Sequence, residues 1–391
     1  MTPIRIHSST SPGLGIAVGA GMMRSQLMLS GLLFGIGCSH QGDKLAIDSS
    51  PAAADDASVD DSNTTPDSSS NSGACPSQGA SLPWVYTQLF SCDSPFHTTV
   101  ARHKQNGATI LPSSDMTSLW NQGGVSDQDL SPTSYMFPVY IAANADPTKT
   151  ISCTGYGHCN ADGMSIHVPS GATPEPHSDG HIAIIDQTIG FEFDGYACSV
   201  SSTAVNCTWG GKYAIGGNGI TNSGSDAVHG GYAAGLMDIT AQELLNGHID
   251  HALGLNTKCL NNPTVYPADQ NNAGTDSACG GSNPPHYGNL VHLLWTPSQI
   301  SASPYSAECK TVLTAFATYG AYLYDTGNPG LSLVAQGAQS YTAVGNNNPW
   351  ETTILPHLKA AGDANGTFWS SCLNHLTAAD FEMLQIAAAA Y

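Results

Sequence analysis

The sequence predicts a mainly β fold: a single β-sandwich or jelly-roll-like domain, stapled by disulfides and carrying a few peripheral helices. Three observations point there. Charged residues make up only 10% of the 391 positions, whereas an ordinary soluble domain carries roughly 25%, and the chain holds 42 Gly and 23 Pro. Short apolar or alternating segments bounded by turn residues outnumber helical patterns. The 11 cysteines show no CxxC spacing, which suits disulfides better than a zinc site or redox chemistry.

In chain order, Arg24 precedes an apolar run from Leu27 to Ile36 that closes on Gly35-Ile36-Gly37-Cys38. A cation, a short apolar core, small residues and a cysteine mark residues 1–37 as a signal region and Cys38 as a lipid-attachment cysteine. The run is too short to span a bilayer, which takes about 20 apolar residues. The segment resembles the bacterial lipoprotein signal, with Gly35 where that signal usually carries a branched residue. An outer membrane-anchored location follows, with plain secretion as the other outcome. Residues 38–74 then form an acidic Ser/Asp linker with seven Asp, a lone Lys44 and no aromatic residue. Such a segment cannot bury enough apolar surface to offset its ordering entropy.

Residues 75–391 contain no internal repeat and no second linker, so they are expected to form one globular domain. Setting Cys38 aside leaves ten cysteines, an even number that reads as five disulfides in an exported chain. Local spacing suggests Cys153–Cys159, Cys198–Cys207 and Cys259–Cys279, which leaves Cys75–Cys92 and Cys309–Cys372. Met136 to Ile141 is a strand interrupted by Pro138. His181–Asp186 and Gly190–Asp194 flank a polar turn and predict a hairpin. Thr240 and Glu243 form a capping box, with Gly247 as the stop. His248–Leu255 alternates, placing Ile249, His251, Leu253 and Leu255 on one buried face. Leu290–Trp295 is a short buried strand. Glu308–Leu323 carries Val312, Leu313, Phe316, Tyr319 and Leu323 at helical spacing. Thr377–Asp380 opens a last helix whose Phe381, Leu384 and Ile386 dock on the sheet.

Several segments, taken in order, carry a resemblance: Ser118-Leu119-Trp120-Asn121-Gln122, Asp179-Gly180-His181 through Asp186, Phe191-Glu192, Ala234-Gly235-Leu236, Ile249 to Leu253, Val312 to Gly320 and Asp380-Phe381-Glu382. The chain resembles a group of uncharacterised secreted bacterial proteins that share an Ile-x-His-Ala-Leu motif. The matching pieces cover about residues 111–387. The resemblance implies a common fold and an exported location, and it supplies no reaction.

Charge excludes some partners. Thirty Asp+Glu against ten Lys+Arg give a net −20, and residues 75–391 alone carry −16 from 7 Lys+Arg and 23 Asp+Glu. A nucleic-acid surface needs clustered cations, and a polyanionic substrate would be repelled. The chain has no Gly-x-Ser-x-Gly elbow, HExxH, Walker A or dinucleotide fingerprint.

Glu192 and Asp194 are two apart in a predicted strand, so both carboxylates leave one face about 7 Å apart. A carboxylate pair at that order of separation is what glycoside hydrolysis needs. Glu192-Phe193-Asp194 resembles the Glu-x-Asp strand of jelly-roll endoglucanases, with Ala197 where their third carboxylate stands. The simpler reading is the solvated face of an amphipathic hairpin. Asp179, His181 and His251 are the candidate orienting or acid/base groups, and His251 is equally a core histidine satisfied by a carbonyl. Trp120, Trp209 and Trp350 are the candidate sugar-stacking residues, against the commoner reading as core tryptophans.

No metal or other cofactor is expected. The nearest candidate is a structural calcium loop around Asp269, Asn271, Gly274 and Asp276, which lacks the terminal Glu of an EF-hand. The expectation is therefore a monomeric, surface-anchored or extracellular hydrolase acting on a polysaccharide. The alternative is a non-catalytic carbohydrate-binding or adhesive lipoprotein.

Overall fold

The structure, a computed structural model, describes residues 89–121, 132, 134–221, 223–269, 271, 285–327, 331–360, 372–373, 375–388 and 391. The signal region, Cys38, the acidic linker, Cys75, Cys279, Gly274 and Asp276 lie outside the described residues.

The strands are β1 (Thr109–Ile110), β2 (Val139–Ala142), β3 (Thr148–Cys153), β4 (Ser165–His167), β5 (Ile182–Asp186), β6 (Phe191–Tyr196), β7 (Ser199–Val200), β8 (Ala204–Cys207), β9 (Trp209–Ala214), β10 (Leu253–Thr257), β11 (Leu290–Leu293), β12 (Ala321–Thr326), β13 (Ser332–Leu333) and β14 (Phe381–Gln385). The helices are α1 (Val100–Gln105), α2 (Ser113–Trp120), α3 (Ala234–Met237), α4 (Ala241–Asn246), α5 (Pro297–Ala302), α6 (Ala307–Thr318), α7 (Gln339–Thr342) and α8 (Leu355–Ala360). The fold is therefore mainly β, as expected, and its strands form three mixed sheets.

The first sheet runs β1-β14-β11-β12-β10-β13, with β10 and β12 parallel and its other pairs antiparallel. The second runs β2-β5-β6-β9 and the third β4-β3-β8-β7, each with one parallel pair. The second sheet positions the site because both of its faces are covered. Ile182 and Ile184 of β5 and Phe193 of β6 share a core with Ile151 of β3, Ile166 of β4 and Val205 of β8. Ala183 and Ile185, pointing the other way, join the larger core built around the first sheet.

The hairpin expected over residues 181–194 is β5–β6, in register Ile185↔Glu192 and Ala183↔Asp194. The capping box is present: the Thr240 hydroxyl accepts from Glu243 N, the Glu243 carboxylate accepts from Thr240 N, and Gly247 ends α4 at φ 71°. Three expected disulfides are present, Cys153–Cys159, Cys198–Cys207 and Cys309–Cys372. Cys92 and Cys259 are also disulfide-bonded.

Three elements differ from expectation. The helix predicted to Leu323 stops at Thr318. Gly320 takes φ +78°, and a Cβ there would meet Leu290 Cδ1 at 2.7 Å and the Val291 carbonyl at 2.8 Å. The chain reverses there, and Leu323 belongs to β12. The last helix is a single 3-10 turn, Ala378–Asp380, after which Phe381–Gln385 fills the slot between β1 and β11 as β14. Cross-strand hydrogen bonds and burial on both faces, with Met383 and Leu384 at 1% and 0% exposure, outweigh the capping signal. The strand predicted from His248 begins only at Leu253. Ile249 and His251 are buried as expected, but in the loop that joins α4 to β10.

Candidate functional site

An open cleft of about 650 Å3 brings carboxylates, imidazoles and aromatic rings together. Asp179, Asp226 and Asp325 supply carboxylates, His181 and His229 supply imidazoles, and Tyr156, Tyr196 and Trp209 supply rings. The loop before β5 delivers Asp179 and His181. Buried Glu175 shapes that loop: its Oε1 accepts from Gly180 N at 2.7 Å, and its Oε2 accepts from His177 N at 2.9 Å. Gly180 turns at φ +47°, where a Cβ would sit 3.0 Å from Cys198 N. Ala197 N and Cys198 N donate to the carbonyls of Asp179 and Gly180, so the loop is tied to the end of β6.

The Cys198–Cys207 disulfide fixes the aromatic wall. Both sulfurs lie against Gly195, where an added Cβ would come within 2.4 and 2.6 Å of them. Beside it, β6 and β9 bring Tyr196 and Trp209 into register as a pair. Tyr156, 72% exposed, meets Trp209 edge-on with ring centres 6.0 Å apart. Across the cleft, Asp325, next to last in β12, forms an ion pair with His229, Nδ1 to Oδ1 3.5 Å. Asp269 holds the floor: its two oxygens accept from Gly224 N and Asn271 N, both at 2.8 Å. Asp269, the first residue of the candidate calcium loop, accepts from these backbone amides, while Gly274 and Asp276 of that loop lie outside the described residues.

His181 stacks on Phe137 with ring centres 4.2 Å apart, and its Nδ1 has no hydrogen-bond partner. Burial holds its imidazole below the usual histidine range, against the opposing pull of Asp325, Asp179 and Glu175. Held neutral, this imidazole offers the cleft a hydrogen-bonding group within electrostatic reach of Asp325 and Asp179. Burial, followed by Asp179, Tyr156 and Asp325, raises the Tyr196 phenol, which keeps it a hydrogen-bond donor.

The structure separates the other predicted site residues from this cleft. Glu192 and Asp194 share a face of β6, as the alternation requires, but neither solvates nor lines an opening: both are 0% exposed. That face packs against α3. Asp194 Oδ2 accepts from Ala234 N at 2.7 Å and Glu192 Oε1 from Gly235 N at 2.8 Å. Gly235 allows the approach, since a Cβ there would lie 2.8 Å from Glu192 Oε2. Burial pushes both carboxyls above the usual range, and their mutual repulsion adds to the rise at Asp194.

His251 is a core histidine. Its Nδ1 donates to the Ala252 carbonyl at 2.8 Å and its Nε2 to Glu243 Oε1 at 3.0 Å. Although burial opposes its charge, Glu243 and the two hydrogen bonds hold His251 above its ordinary pKa. Trp350 is 1% exposed in the core, and Trp120 packs on Phe381 at 5.9 Å between ring centres. Of the three tryptophans, Trp209 reaches the cleft.

Sequence reasoning missed Asp226, His229 and Asp325. Asp226 and His229 lie in a glycine-rich stretch whose signal is only polar residues between glycines, and Asp325 is a carboxylate ending the apolar run Ala321–Tyr324. Comparison with protein-family models, curated proteins and solved structures finds no match to this chain.

Proposed function

We propose that the cleft is the active site of a carbohydrate-active hydrolase, exported and anchored through Cys38. The observation that carries this reading is one open cleft that combines carboxylates, a buried neutral imidazole and a wall of aromatic rings. Rings able to stack on sugar faces, with a few convergent polar groups, are what a saccharide site requires. Hydrolysis needs one carboxylate kept ionised and one able to deliver a proton. Asp325, paired with His229, and Asp179, on the glutamate-shaped loop, are the two carboxylates we assign to this pair. His181 orients or relays between them, being within electrostatic reach of both.

The shared core between the second and third sheets supports reading that half of the fold as a β-sandwich. The disulfides support an oxidising, extracytoplasmic compartment.

The test is reducing-sugar release by the purified protein over a panel of polysaccharides, with Asp179→Asn and Asp325→Asn alongside. Each variant should lose activity about 10²–10⁴-fold, as expected for a positioned acid or base. Saccharide binding without release by the wild type would move the assignment to a carbohydrate-binding lipoprotein. No binding to any member would refute both.

A further inference from the structure

We propose that Tyr156 is the ring on which a neutral pyranose unit of the substrate docks at the edge of the cleft, positioned there by the Cys153–Cys159 disulfide; the inference rests on the saccharide reading of the same cleft. Tyr156 lines the cleft and stands midway between the two bonded cysteines, three residues from each. At 72% it is more exposed than any other large apolar side chain among the described residues. On a loose loop such a ring would have to be ordered by its ligand, at a cost in conformational entropy. This one is ordered in advance. Cys153 N donates to Asp162 Oδ1 at 3.0 Å, Cys159 N to the Cys153 carbonyl at 3.1 Å, and Gly155 N to the Thr208 carbonyl at 2.8 Å. A Cβ at Gly155 would lie 2.4 Å from Thr208 Cγ2 and 2.7 Å from the Thr208 carbonyl oxygen, so the loop lies directly against the residue that precedes Trp209.

Two disulfides meet at this end of the third sheet. Cys153 ends β3, Cys207 ends β8, and the two are register partners. Cys153 carries the Tyr156 loop, while Cys207, bonded to Cys198, leads through Thr208 into Trp209. The two rings meet at 68°, which makes a corner and not a stack. A stacked pair would cover one face of each ring, whereas the corner leaves Tyr156 open to a ligand. What the loop presents there is apolar surface: its charged side chains, His158 and Asp162, bond each other. The C–H face of a pyranose is the matching chemistry, and burying it against a ring already in place is favourable.

The experiment is native affinity electrophoresis of the full chain through gels holding hydroxyethylcellulose, xylan, galactomannan, pullulan or, as the charged control, polygalacturonate. At least one neutral polymer should retard the chain. Tyr156→Ala should lower that affinity by at least about tenfold, equally in low and high salt, and Tyr156→Phe should keep it, because the ring and not the hydroxyl binds. The paired Cys153→Ala/Cys159→Ala variant should lose at least about threefold although its tyrosine is still present. Thermal melts accompany every variant. Should the cysteine pair fail to fold, Gly155→Ala, which forces the loop away from Thr208, takes its place. Tyr156→Ala retarded like wild type would overturn the docking role, and a folded loop variant retarded like wild type would overturn the positioning role, each leaving the saccharide reading in place. Retardation by polygalacturonate alone would overturn the neutral class. Retardation by no polymer would overturn the saccharide reading and this inference with it.

Discussion

Glu192 and Asp194 show how far a residue spacing reaches. Alternation placed both carboxylates on one face, which is correct, but whether that face meets water depends on what covers the sheet. Residues from outside β6, above all Ala234 and Gly235, cover it. Buried there, the pair makes stability depend on pH. A carboxyl with a raised folded-state pKa keeps its proton longer in the folded chain than in the unfolded one. The folded state is therefore favoured below the ordinary value near 4.5, and that advantage is lost as pH rises to about 7. His251 acts in the same direction at higher pH, since its raised pKa adds stability that is lost once it deprotonates. Glu192→Gln should flatten the fall. Its carbonyl can still accept from Gly235 N, and its amide can donate to Asp194 Oδ1, which has no partner. At pH 8 the variant should be more stable than wild type by about 1–3 kcal/mol. Melting curves from pH 4 to 9 measure this, and parallel curves for the two proteins would count against a protonated buried pair.

At the scale of elements, local signals were legible where a segment satisfies itself. The β5–β6 hairpin, the Thr240 capping box and the short-range cysteine pairs each need only nearby residues. Segments whose partners are remote were not legible. Phe381–Gln385 carries helix-compatible apolar residues after a genuine cap, and only β1 and β11, hundreds and tens of residues away, make it a strand. The cleft was half legible for the same reason: Asp179 and His181 lie beside a recognisable strand, whereas Asp226, His229 and Asp325 reach it from distant elements. The junction at Gly320 tests this view. Helix α6 must reverse there directly into β12, so Gly320→Ala adds a left-handed penalty to a clash with Leu290 and Val291. A loss of about 2 kcal/mol or more is expected in denaturant melts. A neutral substitution would mean the helix can end elsewhere.

Across the whole molecule, the three sheets of this low-charge, glycine-rich chain are held by covalent closure as well as by their cores. Closure should matter more for a longer loop, growing with the logarithm of its length. Cys309–Cys372 spans 63 residues and Cys153–Cys159 spans 6, so removing the first pair should cost about 4 kcal/mol and the second about 2 kcal/mol. Paired Cys→Ala variants compared by chemical denaturation would measure both, and equal losses would point to local strain instead of loop entropy. The central claim is that function resides in the cleft of Asp179, His181 and Asp325, and not at the buried pair on β6. Its most direct test is reducing-sugar release by Asp325→Asn and Glu192→Gln, side by side with wild type on the active polysaccharide. The cleft account predicts that Asp325→Asn loses at least about a hundredfold in rate while Glu192→Gln stays within a few-fold of wild type; full activity in Asp325→Asn with turnover abolished in a folded Glu192→Gln would contradict it.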